Sequence, residues 1–543
     1  MPPVRLRLLA ALTLLFLAGP AGVFAATIKG TSRADRLVGT QKADTIDGAA
    51  GNDTILGLGG NDLLIGGPGR DKIFGGPGND SIVANGDGAR DTVSCGAGKD
   101  IVNADAGDSV ARDCEVTSRQ LSTDTISGGG AQHATEVEPD SFAFGQTIVA
   151  VFQVGRIESG GATAIGEATS VDGGRHWRSG LLPGVTSFSP QPGTDPRASD
   201  PTVAFDAAHG VWLASSLGIA ADTFQVLISR STDGISWSPP VTARQAASGT
   251  LDKEWVACDN WPSSPNRGRC YLSYLDVGSG LIVTQTSSDG GLTWGVPATT
   301  SIQPPQGVEA NGAQPLPRPD GSLVVVYEVS GAQGPSFSDE VLAARSVDGG
   351  ASFEPSVQVS SLSVFPTVGL RAPPLPSADV ASDGRLFVTW PDCRLDPSCG
   401  RDRILLSTSA DGQVWSTPAP VGPATPGASQ LVPGLAADPA TSGPDQRLAV
   451  TYYSLPDACA NRPACPGVDV WLTTSGDGGT SWAQPQRLDA QSMRLDWLPV
   501  AEGRFLGDYI STSFVDGQAV PVYSLAVAPV GGVLRQAIMA LVP

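Results

Sequence analysis

The chain of 543 residues contains 67 glycines and 44 prolines, which excludes a protein built on long helices. Its 54 acidic residues outnumber 34 basic ones, only five of the latter being lysines, for a formal charge of -20. That balance excludes a nucleic-acid binder or a polybasic membrane protein, both of which need clustered positive charge, while 41% apolar residues exclude disorder throughout.

Residues 1–25 read as a secretory signal peptide. Arg5 and Arg7 precede an apolar run, Leu8 to Ala18, and a small-residue site ends at Ala25. The run has 11 residues, short of the roughly 20 needed to span a bilayer. A secreted, extracellular protein with no transmembrane segment after signal cleavage is expected. The cysteines agree, because they fall into four sequence-local couples: Cys95 with Cys114, Cys258 with Cys270, Cys393 with Cys399, and Cys459 with Cys465. No Cys-x-x-Cys is present and His133, His176 and His209 stand alone, so zinc-ligand spacing is absent.

From Gly30 the sequence repeats every nine residues, with aspartates at 35, 44, 53, 62, 71 and 80, then at 91, 100 and 108 after small slips. The best units read GAAGNDTIL, GLGGNDLLI, GGPGRDKIF and GGPGNDSIV. They resemble the RTX, or haemolysin-type, calcium-binding nonapeptide GGxGxDxUx. Each unit joins a glycine turn to a three-residue strand, so Ile55, Leu64, Ile73 and Ile82 are expected to stack as an inner ladder. Aspartates and turn carbonyls of successive coils supply hard oxygen ligands suited to Ca²⁺, and Asp53, Asp62, Asp71, Asp80, Asp91 and Asp100 are the expected ligands. The first two units, GTSRADRLV and GTQKADTID, lack the second and third glycines and are expected to be capping coils, with Cys95 and Cys114 closing the other end. Residues 26–118 are thus predicted to form a short parallel β-roll, with a linker at 119–132.

A second repeat of about sixty residues follows. Ser170-x-Asp172-Gly-x-x-x-Trp177 recurs at Ser231, Ser287, Ser346, Ser409 and Ser475, each turn ending in an aromatic, with the copies at Ser231 and Ser409 one residue short. The copies resemble the Asp-boxes, or BNR repeats, of sialidase-like proteins. Their aspartates are expected to accept turn N–H bonds rather than to do chemistry. Strands such as Thr202 to Phe205, Val211 to Ser215 and Gln225 to Ser229 precede the boxes, giving four short antiparallel strands per unit. The resemblance therefore implies an all-β fold in which a sialidase-like β-propeller occupies residues 133–543. Counting inner strands gives seven blades, with six as the alternative, and a connector strand can complete the last blade.

Sialidases of this type hold a substrate carboxylate with three arginines and use a tyrosine nucleophile with an aspartate acid/base. Their Arg-Ile-Pro signature is missing, and the corresponding stretch is the acidic Glu136-Val-Glu138-Pro-Asp140. Residues expected near the central axis include Asp200, Asp252-Lys253-Glu254, Glu309, Asn311, Arg371, Arg504, Asp508 and Tyr509. If the protein is a glycoside hydrolase, its acid/base pair is expected among Asp200, Glu254 and Asp508, with Tyr509 as nucleophile and Arg504 as orienting cation. No GxSxG elbow is present and each cysteine has a partner, which disfavours a Ser or Cys hydrolase. The sequence favours a calcium-stabilised monomeric module that recognises extracellular glycans or proteins, with an exo-acting glycosidase as the alternative.

Overall fold

The structure, a computed structural model, describes residues 24–247, 249–301, 308–331, 339–367, 369–459 and 466–543. The expected signal peptide lies outside the described residues except for its last two.

The nonapeptides fold into two parallel ladders. One stacks Thr27–Lys29, Thr45–Asp47, Leu63–Ile65, Ser81–Ala84 and Ile101–Ala104; the other stacks Arg36–Val38, Thr54–Leu56, Lys72–Pro77, Thr92–Ala97 and Ser109–Val110. A coil is therefore two nonapeptides, and Ile28 pairs with Ile46, Ile46 with Leu64 and Leu64 with Ile82. Ile46, Ile55, Leu64, Ile73, Ile82, Val93 and Val102 are fully buried in one cluster. The expected side chains do point inward, but not as one ladder: Ile55 stacks on Ile73 in one and Leu64 on Ile82 in the other, each side chain contributing about 1.5–3 kcal/mol of burial. Glycine is required where coils touch: a Cβ on Gly69, at φ 147°, would run into the Gly51 carbonyl one coil away.

Antiparallel groups follow along the chain. Six of them open with Gln132–Phe144, Arg197–Asp206, Leu251–Cys258, Val308–Pro317, Ser377–Val380 and Ala428–Ala437, each leading a run of four strands. The last group is Ser511–Val515, Gln518–Val530 and Val533–Leu541. Side chains on the opening strands bond the backbone of the next one: Val203 N donates to Asp140 Oδ2 (2.8 Å), Val256 N to Thr202 Oγ1 (3.0 Å) and Ala437 N to Asp379 Oδ2 (2.8 Å). Asp140 is buried and its carboxyl is pushed up to about 7 by desolvation, which marks it as a strand tie.

This architecture corrects the expectation of a short β-roll followed by a seven-bladed, or six-bladed, propeller. The repeats wind as a parallel β-helix of about five turns. The helix does not end in a closed cap before the second repeat begins. Val116–Gln120 adds to its ladder against Ile101–Ala104 and then pairs antiparallel with Val533–Leu541, Ser118 facing Leu541. One seventeen-stranded sheet consequently runs from the coils through the last antiparallel group into the first two, so the strands are not partitioned into a roll and independent blades. The physical cause is edge pairing: the final coil exposes unpaired N–H and C=O groups, and the C-terminal strand satisfies them.

The six Ser-x-Asp turns have the expected hydrogen bonds. In the first, His176 N donates to Asp172 Oδ1 (2.9 Å), Gly174 N to Ser170 Oγ (2.8 Å) and Trp177 Nε1 to the Gly174 carbonyl (3.0 Å). The Ser236 and Ile235 N–H groups hold Asp233 at about 2, and the Ser481 hydroxyl and N–H do the same for Asp477. These aspartates are spent on their turns. Disulfides Cys95–Cys114, Cys258–Cys270 and Cys393–Cys399 are formed as expected, while Cys465, the expected partner of Cys459, lies outside the described residues.

Candidate functional site

The opening strands share a local irregularity. Glu138, Asp200, Lys253, Gly312 and Val432 all sit in the left-handed region, at φ 53°, 51°, 50°, 64° and 50°, each at a register shift against the next strand. A non-glycine residue held there costs about 1–2 kcal/mol, and bulges of this kind re-aim the side chain they carry. Three of the bulges carry Glu138, Asp200 and Lys253, and those three side chains meet.

Lys253 Nζ lies 2.8 Å from Asp200 Oδ1, 2.8 Å from Asp508 Oδ2 and 3.1 Å from Glu138 Oε1, with its side chain 10% exposed. Arg371 grips Asp508 with two bonds, Nε to Oδ1 at 3.1 Å and Nη2 to Oδ2 at 2.6 Å. Asp508 N donates to Glu138 Oε1 (3.2 Å), and Gln153 Nε2 donates to Glu138 Oε2. Burial opposes ionisation of Asp508, but Lys253 and Arg371 outweigh it and hold the carboxyl at about 2. Burial also opposes the charge on Lys253, and Asp200, Asp508 and Glu138 overcome it, so the ammonium stays protonated. Three carboxyls and two cations thus pair with one another, with a formal excess of one negative charge when all three are ionised.

This cluster forms one wall of a cavity of about 610 Å³. Arg156, Arg197, Asp252 and Glu502 add further charge, and Leu217, Ile219, Phe224 and Leu375 give an apolar side. The Arg156 and Arg371 guanidinium carbons each lie 4.8 Å from the Phe505 ring centre. Asp252 is pushed up to about 7 by burial and by the charge on Asp200.

Not every expected residue reaches this wall. Asp200, Asp252, Lys253, Asn311, Arg371 and Asp508 do. Tyr509 is buried and its hydroxyl donates to the Pro201 carbonyl (3.0 Å), with burial and Glu138 raising the phenol far above its ordinary value. Glu254 lies beneath the cluster beside a space of about 10 Å³; both its oxygens are buried without a donor, and burial followed by Asp200 keeps it protonated. Arg504 donates to the Leu498 carbonyl (2.7 Å). Glu309 is exposed. Sequence reasoning missed Arg156, Arg197 and Gln153, and it named Lys253, the only lysine after Lys99, near the axis without giving it a role.

The coils present a second set of functional groups. Each aspartate Oδ1 accepts the backbone N–H of the aspartate one coil earlier, as Asp53 N to Asp71 Oδ1 (2.7 Å) and Asp80 N to Asp100 Oδ1 (2.7 Å). The other oxygen, Oδ2 of Asp53, Asp62, Asp71, Asp80, Asp91 and Asp100, is buried with no donor. It occupies a cradle over a turn glycine, since a Cβ on Gly57 would strike Asp62 Oδ2 and one on Gly48 would lie 2.7 Å from Asp53 Oδ2. Burial holds Asp71 and Asp80 at about 6 and Asp91 at about 8. Among the described residues no three His, Cys, Asp or Glu side chains gather at one point, so an ion there would combine single carboxylates with backbone carbonyls. The orphaned oxygens fit a hard cation.

The model of the RTX calcium-binding nonapeptide repeat matches residues 29–64, 56–88 and 83–111, and such repeats bind calcium in general. No curated protein matches the chain. Among solved structures, a protein of unknown function from Dyadobacter fermentans DSM 18053 shares 15% identity over 78% of this chain and 98% of its own, with a TM-score of 0.40. Penicillium chrysogenum alpha-L-arabinanase, complexed with arabinobiose, shares 14% over 67% of this chain and 99% of its own, with a TM-score of 0.42. The Hadza microbial sialidase Hz136 shares 15% over 75% of this chain and 65% of its own, with a TM-score of 0.39. No helix among the described residues is long and apolar enough to cross a membrane.

Proposed function

We propose that this is an extracellular calcium-binding protein whose large cavity recognises a glycan. The observation that carries the reading is the cluster in which Glu138, Asp200 and Lys253, on strained bulges, meet Asp508 and Arg371 beside an apolar wall. Its charges are paired, so it offers directional hydrogen bonds with little net field, while Phe224 and its neighbours offer a surface for the apolar face of a sugar ring. A volume of about 610 Å³ lies within the roughly 300–1,000 Å³ of small-ligand sites. Asp53, Asp62, Asp71, Asp80, Asp91 and Asp100 would hold Ca²⁺, which screens carboxylates that otherwise oppose one another along the β-helix.

A glycan array followed by calorimetry on the best hits tests the reading. Binding is expected for the wild type and a loss of at least tenfold for Arg371→Met. Equal affinity in the two proteins, or no glycan bound at all, overturns it.

One observation favours hydrolysis as a second reading. Asp252 near 7 and Asp508 near 2 share a cavity wall, and carboxyls pushed apart in this way suit an acid and its ionised partner. Release of 4-methylumbelliferone from a glycoside panel, abolished in Asp252→Asn, would establish it; no turnover on any sugar removes it.

A further inference from the structure

The charged groups lining the large cavity differ in how much bonding capacity they have left. The Lys253 ammonium has three hydrogens to donate, and Glu138, Asp200 and Asp508 take all of them. Arg371 spends Nε and Nη2 on Asp508. Arg156 Nη1 donates to Gln153 Oε1 (2.9 Å) and the Gly161 carbonyl (3.2 Å), and Arg197 Nη1 to the Gly160 carbonyl (3.0 Å) and the Ser159 hydroxyl (3.2 Å). Every cation of the wall is therefore engaged by the protein's own oxygens.

Asp252 is different. It lies on Leu251–Cys258 directly before the bulge at Lys253, and its backbone is the last in register, opposite Leu275, before the pairing shifts. It lines the cavity, and its carboxyl has no hydrogen-bond or ion-pair partner among the described residues. The residue is half-buried, and its oxygens stay open to the cavity where those of Glu254, beneath the cluster, are sealed. Burial and Asp200 oppose its ionisation, Lys253 favours it, and Asp508 and Glu138 add to the opposition. The other acidic group outside the cluster, Glu502, stands in solvent at 87% exposure. Five acidic and four basic side chains line the cavity, so no cation is left over to hold an anionic sugar, while one carboxyl is left over to hold a cation.

We infer that the cavity takes a glycan bearing a free amine, with Asp252 as the counter-ion of its ammonium group. The inference rests on the recognition reading above and names the class of its ligand. An ammonium brings three donors and the full charge that the Asp252 carboxylate lacks opposite it. A neutral hydroxyl would donate one bond and leave that charge facing Asp200, Asp508 and Glu138, and a carboxylated or sulfated sugar would add a further negative charge to theirs. A bare metal ion needs six or more oxygens in the case of Ca²⁺, whereas the neighbouring carboxylates are already turned to Lys253. Leu217, Ile219 and Phe224 remain for the C–H face of the sugar ring.

Calorimetry on the calcium-loaded full chain at neutral pH tests this, with glucosamine and galactosamine oligosaccharides in two forms, free-amine and N-acetylated. Acetylation removes the charge and leaves the ring. A charge-assisted bond is expected to make a free-amine form bind about tenfold or more tightly than its N-acetylated counterpart. Asp252→Asn is expected to abolish that preference, and Asp252→Glu to restore part of it. Equal affinity for the two forms in the wild type overturns the inference. So does a preference that survives in Asp252→Asn, because general attraction of a cationic sugar to an acidic protein would survive there too. If scanning fluorimetry shows that Asp252→Asn does not fold, Asp252→Ser is read by the same criterion. A chain that binds no glycan of any class on the array overturns this inference and the recognition reading together; one that binds neutral or anionic glycans and prefers no free amine overturns this inference alone.

Discussion

Replacing Lys253 by methionine removes the ammonium from among Glu138, Asp200 and Asp508 while keeping most of the buried stem. At 2.8 Å and an effective dielectric of about 20, each of the two shorter ion pairs amounts to roughly 6 kcal/mol of attraction, much of it offset by desolvation of the ions. Asp508 retains Arg371, but Glu138 and Asp200 lose their ion pair, and leaving buried charge uncompensated costs about 3–5 kcal/mol. The thermal transition of the calcium-loaded protein should fall by about 3–5 °C at pH 8. The sign of the pH dependence follows from the carboxyls. Burial raises the Glu138 carboxyl and Lys253 opposes that rise, so without the ammonium Glu138 binds its proton more tightly folded than unfolded; folded Lys253→Met therefore loses stability as pH rises, and its deficit is smaller at pH 5 than at pH 8. The wild-type contribution of Asp508, held at about 2, is present above about pH 4 and fades only as pH drops toward 2, so it is constant across that window. Differential scanning fluorimetry at pH 5 and pH 8 measures both. A variant as stable as wild type at pH 8, or one with a larger deficit at pH 5, refutes a buried ionic cluster.

Desolvation places Asp71 and Asp80 near 6, Asp108 near 7 and Asp91 near 8. These raised carboxyls make the calcium-free chain less stable at pH 8 than at pH 6, and calcium must displace their protons, so half-saturation should fall by roughly tenfold or more between pH 6 and pH 8. A calorimetric titration at the two pH values checks this, and a flat profile would contradict it. Tyr509→Phe should cost about 1–2 kcal/mol in denaturant unfolding, because the Pro201 carbonyl loses its donor, and should leave glycan binding and any turnover unchanged; a variant as stable as wild type with turnover abolished would restore the tyrosine as a nucleophile. Opening Cys258–Cys270, with a sequence separation of 12, should cost about 3 kcal/mol, and opening Cys393–Cys399, with a separation of 6, about 2 kcal/mol by loop entropy. Chemical denaturation of the two double-serine variants compares them, and the reverse order would show that native strain, not loop length, decides.

The sequence was most legible where structure is set by near neighbours. A nine-residue period fixes both the turn glycines and the inward side chains from Ile46 to Val102, so its strands and buried residues follow from pattern alone. The Ser-x-Asp turns were legible for the same reason, since every bond of Asp172 lies within four residues. The join between the two halves was not: Ser118 meets Leu541 across more than four hundred residues, and nothing local in VTSRQ announces an antiparallel partner. The Arg-Ile-Pro test also pointed to the wrong level of description. Its absence correctly marked Glu138 as acidic, but Glu138, Asp200 and Lys253 act through a left-handed backbone that none of them favours, and two of them precede a proline, which biases a residue toward extended backbone. Such positions persist only when the surrounding sheet over-determines them. Lys253 was therefore visible as an isolated cation in a lysine-poor stretch, but its three carboxylates, 53, 115 and 255 residues away, could be found only once the opening strands were laid side by side. The same reasoning separates Arg371 from Arg504: both lie in the short strands Leu370–Arg371 and Arg504–Phe505 that pair in parallel, yet Arg371 binds Asp508 while Arg504 donates to the Leu498 carbonyl.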